Sequence, residues 1–252
     1  FHPITGANRT NLSLAGLVYE GLFELDGAFR FHGVLCASHA VSEDGLTWTF
    51  RLRQDACFSD GSPLTAAQVV SSLETARASA LYAPRFTDIA SVAAAEDGAV
   101  TVTLTRPNGA LPALLDIPIV KETGGVPLGT GSYVLTGGGE SWSLTANPHR
   151  RQEGTLPLDS IPLRAIQEAD DLIRAFDTRD VTLVSTDLTG TNALGFSGSF
   201  DTVDYATSVM LYVGFNTASG PCASAAVRQA LLRSFDRGAA ATVSLSRHAQ
   251  PA

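Results

Sequence analysis

Five histidines, His2, His32, His39, His149 and His248, are the side chains best suited to hold a metal or to move a proton near neutral pH. No two stand three or four positions apart, the spacing that puts two imidazoles on one helical face, so they read as surface or core residues and no metal site is expected. Asp170, Asp171 and Asp180 could be imagined as paired acids, but they fall at a helix start and before a strand, where carboxylates favour the helix N-terminus or end the element. Gly195-Phe196-Ser197-Gly198 is half of a nucleophile elbow: it lacks the second glycine at the right spacing and a clear strand-to-helix setting. Gly129-Thr130-Gly131 and Gly137 to Gly139 invite a phosphate-loop reading. Neither is followed by Gly-Lys-Ser/Thr and neither opens a helix, so hairpin turns are expected at both. Cys36, Cys57 and Cys222 are too few and too widely spaced for a disulfide framework, and three buried thiols are expected. Asn8-Arg9-Thr10 and Asn11-Leu12-Ser13 match the N-glycosylation acceptor pattern, which matters only in a eukaryotic secretory pathway.

The elements that would have to position any such chemistry are legible from periodicity. Leu12, Leu14, Ala15, Leu17 and Val18 recur at helical spacing between Asn11 and Glu20, with Gly21 as a stop. Leu46, Trp48, Phe50 and Leu52 alternate with Thr47, Thr49, Arg51 and Arg53, which predicts a half-buried strand entered through Glu43-Asp44-Gly45. Thr65-Ala66-Ala67-Gln68 has capping-box spacing and predicts a helix from Ala66 to Ala78. Val100, Val102 and Leu104 alternate with Thr101, Thr103 and Thr105, and Ser132 to Leu135 and Trp142 to Ala146 form a hairpin. Farther on, strands are expected at Ile161 to Ile166, Val181 to Ser185 and Val209 to Phe215, with helices at Glu168 to Phe176 and Ala223 to Phe235. The first half is therefore β-rich and antiparallel, and the second half has a β-α-β rhythm.

Composition bounds the partners. A chain of 252 residues with 44% hydrophobic content can bury a substantial core, and 23 glycines and 12 prolines spread along it give disorder little support. The formal charge of -8, from 25 acidic and 17 basic residues with Lys121 the sole lysine, repels a phosphate backbone, so nucleic acid is excluded as a partner. No apolar run approaches the roughly 20 residues that span a bilayer, and no leader stands at Phe1; if the protein is exported, its signal has been removed.

An ordered set of non-catalytic segments remains. Val18-Tyr19-Glu20-Gly21-Leu22-Phe23 comes first, then Val41-Ser42-Glu43-Asp44-Gly45-Leu46-Thr47-Trp48-Thr49-Phe50-Arg51-Leu52-Arg53. Phe58-Ser59-Asp60-Gly61-Ser62-Pro63-Leu64-Thr65-Ala66 is next, then Gly129-Thr130-Gly131-Ser132-Tyr133, Phe215-Asn216-Thr217, and Val227-Arg228-Gln229-Ala230 with Phe235-Asp236-Arg237. In content and order this resembles the family 5 extracellular solute-binding proteins, the oligopeptide, dipeptide and nickel binders. Ser132, where relatives usually carry proline, Ala37 and His39, which replace a common Glu and Trp, and Cys57, at an often basic position, are departures.

The resemblance implies a mixed α/β fold: a lobe of the periplasmic-binding-protein type II kind, built from residues 1–35 and 149–252, with 36–148 inserted as a mainly antiparallel β-rich domain II. The family's chains are much longer, so a fragment lacking the C-terminal lobe is expected. It further implies a non-enzymatic protein that closes over a peptide or a nickel complex, peptide being favoured, and delivers it to the membrane subunits of an ABC permease. A monomer without cofactor is expected, at the extracellular face of a bacterial membrane or in the periplasm, exported by a signal peptide and lipid-anchored in some settings. The cleft would be lined by Ala7, Asn8 and Arg9, by Ala110 in the Pro107 to Leu111 loop, and by Asn216. Arg9 would pair with a ligand carboxylate or stay solvated, Ala110 would leave room for a larger ligand or fill a loop, and Asn216 would bond a peptide backbone or cap its own turn. A ligand-sensing domain of a regulator and an α/β hydrolase are the rival readings; the first needs a DNA-binding segment, the second a nucleophile, base and acid within reach.

Overall fold

Trp48, Phe50 and Leu52 point into the core from a strand whose other face carries Thr47, Thr49 and Arg51, and that alternation fixes which side of the central sheet is dry. The computed structural model describes residues 1–6, 9–139, 141–151, 154–185, 195–203 and 212–244, with the side chains of 9–11 and 244 outside that description. They fall into two units, Phe1–Leu163 and Arg164–Ala252.

The first unit opens with helix α1 (Arg9–Val18) and a short antiparallel hairpin of β1 (Phe23–Leu25) and β2 (Phe31–Gly33). Strands β3 (Cys36–Val41), β4 (Thr47–Leu52), β5 (Ile89–Ala94) and β6 (Val100–Leu104) form an antiparallel sheet in the order β3-β4-β6-β5. Helix α2 (Ala66–Ala78) buries Val69, Ser72, Leu73 and Ala76 and packs on β5 and β6. Each fully buried Val or Leu there contributes roughly 1.5–3 kcal/mol. The capping box forms as expected: the Gln68 side-chain oxygen accepts the Thr65 backbone N–H at 2.8 Å. Ser72, buried among apolar neighbours, is satisfied by Val120, accepting its N–H at 3.0 Å and donating to its carbonyl at 3.2 Å. Helix α3 (Leu111–Leu114) comes next, and a second antiparallel sheet joins β7 (Tyr133–Gly138), β8 (Ser141–Ala146) and β9 (Ser160–Leu163).

The glycine segments differ from expectation in an instructive way. Gly137 and Gly139, with φ of 124° and 59°, do belong to the β7–β8 hairpin. Gly129-Thr130-Gly131 is no hairpin turn; it lies against the end of α1, where a Cβ on Gly129 would stand 2.0 Å from the Val18 carbonyl oxygen.

The second unit carries α4 (Ala169–Asp177) and α5 (Ala225–Ser234). Asp170 and Asp171 occupy the first turn of α4, where the helix dipole favours negative charge. Residues 181–185, expected as a strand, form none: apolar alternation makes a strand only where a neighbouring edge offers hydrogen bonds, and none of the described strands pairs with it. Of the strand expected at Val209 to Phe215, residues 209–211 lie outside the described residues and 212–215 have no regular structure. The strand expected from Ile161 ends at Leu163. Cys36 is buried, and burial pushes its thiol up to about 11, whereas Cys57 and Cys222 are only partly buried and all three are unbridged.

Candidate ligand-binding site

Asp26 builds one wall of the site. Its carboxylate accepts the backbone N–H groups of Ala28 (2.8 Å) and Arg30 (2.9 Å), the Arg30 Nε–H (2.8 Å), and a contact from His32 Nε2 at 3.2 Å. These donors, the Arg30 backbone first, hold the carboxyl far below the ordinary aspartate range. The chain is thereby drawn so tightly around Asp26 that Phe29 takes a left-handed conformation, φ 59°, uncommon for a bulky residue. Phe29 is consequently held outward, 65% exposed. Phe31, two residues on, is rooted in the core by edge-on contacts with Phe23 (5.6 Å between centroids) and His39 (5.9 Å).

The opposite wall comes from the segment around α3. Asn108 accepts the Ala110 N–H through its side chain at 2.9 Å, a local turn that sets Ala110 at the N-cap of α3, where Pro112 is pre-set for the first turn. Phe29, Arg30, Phe31, Gly109, Ala110 and Ala113 together line a wide-mouthed concavity of about 400 Å³. Aromatic faces on one side and small residues on the other suit an apolar or amphipathic group, with the exposed Arg30 guanidinium at the rim. The lining holds no nucleophile paired with a base.

Of the residues expected to line a cleft, Ala110 does line this concavity. Ala7 and Asn8 lie outside the described residues, and Arg9 opens α1 with its side chain likewise outside them. Asn216 belongs to the second unit, where its side chain accepts the Ala218 N–H at 3.0 Å and donates to Ser219 at 3.3 Å, both within its own turn. Sequence reasoning missed Phe29, Arg30 and Phe31; the signal was two phenylalanines bracketing an arginine just after Asp26-Gly27, a turn that exposes the residues beyond it.

The other constellations resolve into structural roles. Ser197 donates its hydroxyl to Asp177 at 2.6 Å while Phe196 and Phe200 pack on Phe176, so this half-elbow ties a loop to the end of α4. Glu20 is partly buried; burial raises its pKa, and Thr130 (2.9 Å) and Arg151 (3.4 Å) oppose the rise. Among the described residues no group of three or more His, Cys, Asp or Glu is placed to hold a metal ion, and no helix is long and apolar enough to cross a membrane.

Comparison with known proteins places the chain as a whole. Residues 30–252 match the model of the bacterial extracellular solute-binding proteins, family 5 (middle region). The glutathione-binding protein GsiB of Escherichia coli K12 is 26% identical over 272 aligned positions, covering 99% of this chain and 52% of GsiB. The chain thus spans about half the length of such relatives. Among solved structures, MoaA from A. tumefaciens R10 in complex with mannopinic acid is similar with a TM-score of 0.63 and 25% identity, over 71% of this chain and 41% of MoaA. NikA from Brucella suis, in complex with Fe(III)-EDTA, gives 0.62 and 23%, over 71% of this chain and 39% of NikA.

Proposed function

The chain belongs to the bacterial extracellular solute-binding proteins of family 5, with a mixed α/β fold built on antiparallel sheets, and from that premise we propose that it forms part of the substrate-capture subunit of an ABC importer for small peptides. The observation that carries this reading is the concavity between Phe29, Phe31 and Ala110: aromatic and small walls with a cation at the rim bind and orient a ligand without acting on it. Peptide is favoured as cargo because GsiB, aligned along nearly the whole chain, is a glutathione-binding protein and glutathione is a tripeptide.

In this reading residues 1–35 and 149–252 belong to one lobe, 36–148 to an inserted domain, and a further lobe closes over the ligand, so that the closed form docks on a membrane permease. Ala110 contacts the ligand in this reading. The protein works outside the cytoplasmic membrane, brought there by a signal peptide, and its output is closure rather than chemistry.

The test is a thermal-shift screen of the protein at the length of its GsiB relatives against glutathione, di- and tripeptide pools, a nickel–histidine complex and sugars. A ligand bound to the native state at 100 times its Kd adds about 2.7 kcal/mol of stability. A shift with peptides is expected; a shift with the nickel complex or sugars alone would overturn the choice of cargo.

A further inference from the structure

A second concavity in the first unit, of about 320 Å³, shares no lining residue with the one at Ala110. Ala15 of α1 and Tyr19, the residue just after that helix, line it together with Tyr82, Arg85 and Asp116, which stands two residues beyond α3. Asp116 is half-buried, and its carboxylate has neither a hydrogen bond nor an ion pair within the described residues. Burial raises its pKa, which Arg85 counteracts and Glu24 reinforces. Among the described residues its oxygens meet no donor, and the concavity leaves them open to a ligand that brings donors.

Arg85 supplies the complementary charge. Its Nη1 donates to the backbone carbonyls of Asp116 at 2.8 Å and Leu114 at 3.4 Å, and its guanidinium carbon stands 5.1 Å from the centre of the Tyr82 ring. Those contacts fix the guanidinium plane while leaving Nε and Nη2 without a hydrogen-bond partner within the described residues. The concavity therefore holds one anion and one positioned cation, each with unused hydrogen-bonding capacity, and two tyrosines also line it.

We propose that this concavity binds a small zwitterion, the free α-amino-acid group, with the ligand ammonium donating to the Asp116 carboxylate and the ligand carboxylate accepting from the free edge of Arg85. An ammonium brings three donors to an acceptor that has none, and the planar guanidinium edge matches a carboxylate. Opposite fixed charges also select against simpler ions: a lone alkylammonium is repelled by Arg85 and a lone carboxylate by Asp116, whereas the zwitterion meets both with the right sign. This inference does not rest on the peptide reading of the site at Ala110.

The 252-residue chain, titrated by NMR with L-alanine, ethylamine and propionate, tests it. Saturable binding of L-alanine is expected, at least about tenfold tighter than either mono-ion, because each loses one charge-assisted contact. Asp116→Asn should weaken L-alanine binding by about tenfold or more. That variant keeps the backbone carbonyl that Arg85 holds and removes a half-buried charge, so its melting temperature should stay at or above the parent's. Absence of saturable L-alanine binding, equal binding of the three probes, or unchanged affinity in Asp116→Asn would each overturn the proposal, and the three-probe comparison stands without any variant.

Discussion

Gly131 donates its backbone N–H to the Val18 carbonyl oxygen at 2.9 Å, and the two backbones meet there because Gly131 has no side chain. A Cβ at Gly131 would stand 2.7 Å from the Val18 carbonyl carbon, and one at Gly129 only 2.0 Å from its oxygen. The motif is thus a docking point for the end of α1, whose last carbonyls need donors from outside the helix. Asn147, fully buried, supports it by donating from its side chain to the Gly131 carbonyl at 2.8 Å and accepting the His149 N–H at 2.9 Å.

Gly129→Ala should therefore destabilise the chain by at least about 2 kcal/mol, since the clash is with backbone and cannot be relieved by a side-chain rotation. Gly138→Ala, at a strand position where a Cβ meets nothing within 4 Å, should stay within about 0.5 kcal/mol of the parent. Urea denaturation of both variants checks the pair. Equal effects would mean that composition, not close approach, accounts for these glycines.

Phe29 carries a conformational cost for its place at the concavity. Relieving the left-handed strain with Phe29→Gly should leave stability unchanged or raise it by up to about 1 kcal/mol, while weakening binding of whatever ligand the screen identifies. Melting temperature and ligand-induced shift, measured together, separate the two effects. A drop in stability with binding intact would make Phe29 a structural residue and remove one wall of the proposed site.

The depressed pKa of Asp26 has a definite pH signature. A group whose pKa is lower folded than unfolded contributes stability that is present above its unfolded value, about 3.9, and is lost as pH falls toward its folded value. The difference in urea midpoint between the parent and Asp26→Asn should be fully present at about pH 5 and shrink below about pH 4. A difference that does not narrow in acid would show that the Asp26 charge is unimportant and that its geometry alone, which asparagine partly keeps, organises the turn.

The site was half legible. Ala110 was expected at a cleft only through the family resemblance, and it does line a concavity. Phe29 could not be placed, since aromatic residues are ordinarily assigned to the core, and here its outward position depends on hydrogen bonds to the Asp26 carboxylate from its chain neighbours Ala28 and Arg30. Arg85 and Asp116 were equally hidden: 31 residues separate them, and nothing local shows that they would line one concavity.

Local pattern alone determined the helix at Ala66–Ala78, the alternating strands through Trp48 and Val102, and the β7–β8 hairpin, because period and capping chemistry act within a few residues and leave one favourable answer. Tertiary structure decided what those elements left open. It denied residues 181–185 a strand, since alternation needs a partner edge. It turned Gly129 and Gly131 into a close approach to α1, and it gathered Phe29, Phe31 and Ala110 around one concavity. Each outcome depends on groups distant in the chain arriving at the same place, which is a property of packing and not of spacing.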